Sequence, residues 1–223
     1  MLASLLTAST LLPLLAIASP VVKRDAASIT SAITQIETNI NTLNTTLNGF
    51  NKGDLFAIAE VLSIQKETDN LGDSITAATN AAKASAPLSD TDSGTVAVAV
   101  VNLQPQIFSL LNNIQSKKPA FDSAVLGVGS VSPQVKQSLQ KQKQLSGDLG
   151  KAVTAKLTPT YAAFAPTINQ QIADAFDKAI ATFSQKGGLF QVPAFPSFTQ
   201  FQTAMQKYQK QQKSGKTGLL GAL

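Results

Sequence analysis

Ile29, Ile33, Ile36, Ile40, Leu43, Leu47 and Phe50 follow one another at spacings of 4, 3, 4, 3, 4 and 3. An apolar stripe of that period runs along one side of an α-helix and has to be covered by other helices. The residues between its members are almost all Thr, Ser, Asn, Gln and Ala, so the opposite face is hydroxyl and amide rather than charged. A chain that opens on such a helix is committed to helix-on-helix packing.

The residues available for chemistry are few. The 223-residue chain has no Cys, His or Trp, and only 14% of it is charged, against about 25% in ordinary soluble proteins. Without Cys there are no disulfides, thiol nucleophiles or thiolate metal sites. Without His the commonest metal ligand and the commonest general base are gone. Ser63-Ile64-Gln65-Lys66 and Ser138-Leu139-Gln140-Lys141 match S-x-x-K, which places an amine one helical turn from a hydroxyl. The companion motifs of that enzyme class are missing, so both read as chance matches. Glu60 with Glu67 and Asp69 with Asp73 share helix faces but have no partner base, and read as solvated surface. The expectation is a protein that is not an enzyme and uses no cofactor and no metal.

Charge is uneven. Three Lys stand against nine acids from Asp25 to Asp92, and thirteen Lys against four acids from Ser93 onward. Nucleic-acid binding would call for arginine, and the only Arg is Arg24. No nucleic-acid partner is expected. Anionic polysaccharide or lipid headgroups fit the basic half better.

Residues 1–18 form an apolar run ending in Ala16-Ile17-Ala18, a small-x-small cleavage pattern, although the positive n-region is missing. The run is short for a membrane span and carries Pro13. It predicts a signal peptide cut after Ala18. A short propeptide, 19–24, then ends in Lys23-Arg24, where a dibasic-cutting protease would release a chain starting at Asp25. The C-terminal Gly-Leu-Leu-Gly-Ala-Leu is too short for a lipid-anchor signal. The expected location is extracellular or in the cell wall.

Five amphipathic helices are expected in the main domain, 25–187: from Ala26, from about Asp54 to Ala84, from Ser89 to Lys117, from a Ser132 N-cap to Leu157, and from Thr158-Pro159 to Gly187. Pro105 should kink the third and Pro166 the fifth. Thr95 to Val101 alternates as a strand would, but no partner strand is evident, so helix is preferred. The fold class is all-α, an up-and-down bundle. An additional Phe-rich basic segment, 188–223, carries Phe195, Phe198 and Phe201 and is expected to be partly helical and partly disordered. Asn44-Thr45-Thr46 is an N-glycosylation acceptor inside the first helix.

The leader, the Lys23-Arg24 junction, the stretch DAASITSAITQIETNINTLNTTLNGF that follows and the later Thr- and Ala-rich helices together resemble the fungal hydrophobic surface-binding protein A family, also described as antigenic cell-wall galactomannoproteins. The resemblance implies adsorption to hydrophobic surfaces with recruitment of secreted hydrolases, or a long-chain fatty acid held between the helices. About fifteen buried methylenes at about 0.8 kcal/mol each would contribute near 12 kcal/mol before the costs of association. An internal lipid would contact Ile36, Ile40, Leu43, Phe108, Phe164 and Phe176; residue by residue, plain core packing is the competing expectation. Surface adsorption would instead use Phe195, Phe198 and Phe201. A structural wall mannoprotein without a specific ligand is the third alternative, with cell-wall polysaccharide as its partner.

Overall fold

The computed structural model describes residues 26–52, 57–125, 127 and 129–191. The leader with Ala18, Lys23 and Arg24, the expected Asp54 cap, and Phe195, Phe198 and Phe201 lie outside the described residues. The elements are α1 (Ala26–Gly49), α2 (Ala57–Ala84), α3 (Asp90–Ser116), a turn of helix α4 (Lys118–Phe121), β1 (Gly129–Ser130), α5 (Ser132–Thr154), a second turn α6 (Pro159–Ala162), α7 (Ala165–Ser184) and β2 (Phe190–Gln191).

The seam of α1 behaves as its period requires. Ile29, Ile33, Ile36, Ile40, Leu43, Leu47 and Phe50 are all buried. On the outer side, Thr30, Thr34, Thr38, Thr42 and Thr46 each donate a hydroxyl to the carbonyl four residues earlier. Each hydroxyl is thereby satisfied within its own helix.

The five long helices form a ring. α1 packs on α2 and α3, α2 on α5, α5 on α7, and α7 back on α3. Interhelix hydrogen bonds give the directions. Gln106 Nε2 donates to Glu37 and Asn113 Nδ2 to Asn44 Oδ1 at 2.7 Å, so α1 and α3 are parallel. Gln142 Nε2 reaches the Thr68 carbonyl at 2.8 Å and Lys156 Nζ that of Ser85 at 2.6 Å, so α2 and α5 are parallel. Gln104 with Gln171 at 2.7 Å and Thr182 with Gln115 at 3.2 Å make α3 and α7 parallel. Direction alternates along the chain as in an up-and-down bundle, but α3 closes the ring between α1 and α7. The links after α2 and α3 therefore cross the two ends of the ring.

At the lower end, the link before α3 is stitched to α5 by Leu88 N–H to the Lys156 carbonyl at 2.8 Å. Ser89 caps α3 by accepting from Asp92 N–H at 3.1 Å. At the upper end, α4 and β1 cross from α3 to α5. Phe121 of α4 stacks between Phe50 (centroids 4.7 Å apart) and Phe183 (5.7 Å), and buried Val131 donates its N–H to the Phe121 carbonyl at 3.0 Å. Asp122 ties this lid together, accepting from Lys118, from Ser130 Oγ at 2.9 Å and from Ser132 Oγ at 2.5 Å. Burial pushes its carboxyl up, but the hydrogen bonds from Lys118, Ser132 and Ser130 and the Lys118 charge outweigh that and hold it below the ordinary 3.8.

Three local expectations are corrected. Ser132 is the first residue of α5 rather than its cap; Val131 occupies the cap position, and the Ser132 hydroxyl donates to Asp122. The single helix expected from Pro159 is broken into α6 and α7, with Pro166 in the first turn of α7; Pro166 has no N–H to carry the ladder across. Phe190–Gln191 pairs in parallel with Gly129–Ser130, so the start of the C-terminal segment is extended backbone tied to the lid. Gly188, at φ 70°, makes the turn into that strand. By contrast α3 runs unbroken through Pro105.

Candidate lipid-binding site

A ring of five helices with no described helix at its centre leaves space along its axis. Here that space is a cavity of about 370 Å³, inside the roughly 300–1,000 Å³ range of small-molecule sites. Its wall on α1 runs from Ile33 to Leu47, about 21 Å of helix axis. Leu103, Ile107 and Leu110 of α3 and Ile168, Ile172 and Phe176 of α7 continue the apolar lining. Among the described residues, no charged side chain lines it.

Polar atoms in the lining are concentrated on one wall. Gln65 and Thr68 of α2 face Gln134, Gln137, Ser138 and Gln142 of α5 in the upper half of the cavity. Gln142 is 5% exposed; its Nε2 is anchored on the Thr68 carbonyl, and its Oε1 is buried without a hydrogen-bond partner. Ser138 lines this wall, whereas Lys141 points to solvent and pairs with Asp69 at 3.7 Å.

The lower end is different. Tyr161 of α6 packs against Gly94 of α3 so closely that a Cβ there would lie 2.9 Å from its Oη. Beside it Val101 and Phe164 line the cavity and are also exposed to solvent, Phe164 at 67%. They form an apolar mouth between α3 and the α6–α7 elbow. Asn169 lies across Gly150 where α7 crosses α5, and a Cβ on Gly150 would overlap its amide.

Of the residues expected to meet a lipid, Ile36, Ile40, Leu43 and Phe176 line the interior and Phe164 the mouth. Phe108 is the correction: it is half-buried on α3 and outside the lining. The inward row of α3 is Leu103, Ile107, Leu110 and Ile114, and Phe108 sits one residue, about 100°, round from Ile107. Asn44 is half-buried at the α1–α3 seam, with its Oδ1 accepting from Asn113. The amide wall was missed by sequence reasoning. Its signal was Gln142 standing among the inward positions of α5, between Leu139 and Leu145.

Comparison with known proteins supports the same architecture. Cell wall mannoprotein 1 of Aspergillus flavus is 28% identical over 172 residues, covering 77% of this chain and 56% of that protein. The chain thus spans little more than half the length of that curated relative. The crystal structure of AFMP4P in complex with palmitic acid superposes with a TM-score of 0.66 at 35% identity, over 71% of this chain and 99% of that one. Ligand binding domain 1 of the Penicillium marneffei MP1 protein, complexed with arachidonic acids, gives 0.63 at 20% identity, over 72% and 99%; at that identity the likeness is one of fold. Residues 26–155, which span α1 to α5 and hence most of the ring, match the family described as hydrophobic surface binding protein A. With more than half of the chain matched and the ring present, the chain belongs to the hydrophobic surface binding protein A family.

Proposed function

We propose that the chain is a secreted, non-enzymatic lipid carrier whose domain, 25–187, encloses one long-chain fatty acid along the axis of the helix ring. The observation that carries this reading is the cavity: long, apolar along α1, α3 and most of α7, and with no charged side chain among the described residues that line it. The palmitic acid bound in the AFMP4P structure supports the ligand class. The acyl chain lies against α1, α3 and α7. Its polar end meets the amide and hydroxyl wall of α2 and α5, where neutral hydrogen-bonding groups are already gathered. With no cation among the described lining residues, the carboxyl is held by hydrogen bonds from this wall.

The wall also suits a binding protein better than a catalyst. The carboxylates at Asp69 and Asp177 are engaged by Lys141 and Lys143 on the outer surface, away from the lining. Native mass spectrometry of delipidated, refolded protein offered palmitic acid tests the proposal. A one-to-one complex is expected, lost when the cavity is filled by the Leu103→Phe/Ile172→Phe pair. Folded protein that takes up no acid would refute it.

A further inference from the structure

Among the described helices, α3 alone is long and apolar enough to cross a membrane by length and composition, at a mean hydropathy of 1.4, yet only 22% of that stretch is buried. It packs on α1 and α7 through one side and leaves Val98 60% and Val101 49% exposed. Next to it, the α6–α7 elbow exposes Ala163, Phe164 and Pro166. Neither Ser93–Ser116 nor Leu157–Ala173 contains a charged residue, and the two stretches lie side by side through the α3·α6 and α3·α7 contacts. The ordinary surface of a soluble protein is laced with charge. This face is not, and the cavity mouth opens inside it, since Val101 and Phe164 belong to both.

We infer that the α3/α6–α7 face is the surface by which the protein lies on a hydrocarbon phase, with the cavity mouth turned toward that phase. Charge decides the class of partner. An anionic membrane would be met by lysines, but Lys136, Lys141, Lys143 and Lys151 are carried by α5, which does not adjoin α3 in the ring, and Lys117 and Lys178 stand toward the upper ends of α3 and α7, away from the elbow. Gln191, the last described residue, lies in β2 on the upper lid, about 28 Å of helix axis from the elbow. The inference needs the face and not the cavity's occupant, so it stands or falls separately from the acyl-chain reading.

The test is adsorption of the full chain to hexadecane droplets and to neutral phosphatidylcholine vesicles, beside the triple variant Thr95→Lys/Val98→Lys/Ala163→Lys. All three positions are exposed and none lines the cavity. Palmitic acid binding should be unchanged, while adsorption falls at least about 30-fold, through lost Val98 burial and three ammonium groups to desolvate. Wild-type adsorption by the variant, with loss on removal of residues 192–223 instead, would overturn the inference in favour of the tail. So would a wild-type dimer that becomes monomeric in the variant with no change in adsorption. Binding confined to anionic vesicles and abolished by salt would overturn it as well.

Discussion

Emptying the cavity should weaken the whole protein by an amount that can be estimated from its volume. Unfilled, dry space in a core costs about 24 cal/mol per Å³, so 370 Å³ sets an upper bound of about 9 kcal/mol of contacts forgone, lowered by whatever water enters through the mouth. That is comparable to the roughly 5–15 kcal/mol that holds an ordinary domain together. Ligand therefore has to register as stability. At a palmitic acid concentration 100 times its Kd, linkage contributes about 2.7 kcal/mol, which for a chain of this size raises Tm by about 5–11 °C. Differential scanning calorimetry of delipidated protein with and without palmitic acid measures this directly. The Leu103→Phe/Ile172→Phe variant supplies the converse. Filling part of the same space should raise the ligand-free Tm, by about 0.5–2 kcal/mol of stability, and remove most of the ligand-dependent rise. If that variant keeps the full rise, the acid is bound somewhere other than the ring's axis and the volume argument fails.

Other outcomes follow from single contacts. Gly150→Ala should be neutral or stabilising by up to about 1 kcal/mol in urea unfolding, since alanine favours the helix and its methyl meets only the end of the Asn169 side chain, which can rotate away; a loss above about 1 kcal/mol would show that Asn169 is held in place. Asp122→Ala should lose about 1–3 kcal/mol by stripping Ser130, Ser132 and Lys118 of their shared acceptor. Because the folded pKa of Asp122 is depressed, its contribution is complete above the unfolded value of about 3.9 and is lost as pH falls through the folded one. The wild-type advantage over Asp122→Ala should shrink in melts taken below about pH 4. Gly94→Leu should displace Tyr161 from the cavity floor and speed palmitic acid release in stopped-flow exchange, leaving the helix content by circular dichroism unchanged. Gln142→Leu should weaken binding of palmitic acid more than that of hexadecane, since it removes an amide from the polar wall alone.

Much of the fold was legible because it rests on periodicity. The α1 stripe, the Ser89 start and the Thr158-Pro159 start signal are local, and the structure has helices beginning at both starts, although only Ser89 makes the capping hydrogen bond. The ring order was not legible. Whether α3 lies beside α1 and α7 or beside α2 depends on pairs such as Asn113 with Asn44, which no single helix pattern reveals. The site was half legible for the same reason. A heptad seam says that Ile36 and Ile40 face inward, but not whether inward means another side chain or open space. Phe108 went astray because one residue of rotation on a helix is the difference between lining and flank. The mouth was hidden by an assumption that aromatic residues in an amphipathic helix are core, whereas Phe164 falls where Pro166 breaks the ladder.

The threonine ladder on the outside of α1 has an effect on what the protein shows to its surroundings. A hydroxyl that donates to its own backbone carbonyl has spent its one O–H and meets water or another molecule only as an acceptor. A helix rich in hydroxyls by residue count therefore offers its surroundings few hydroxyl donors. The same commitment bears on glycosylation: a transferase acting on Thr34, Thr38 or Thr42 would have to break an intrahelical hydrogen bond in the finished fold, so sugars at those positions report attachment before α1 has closed.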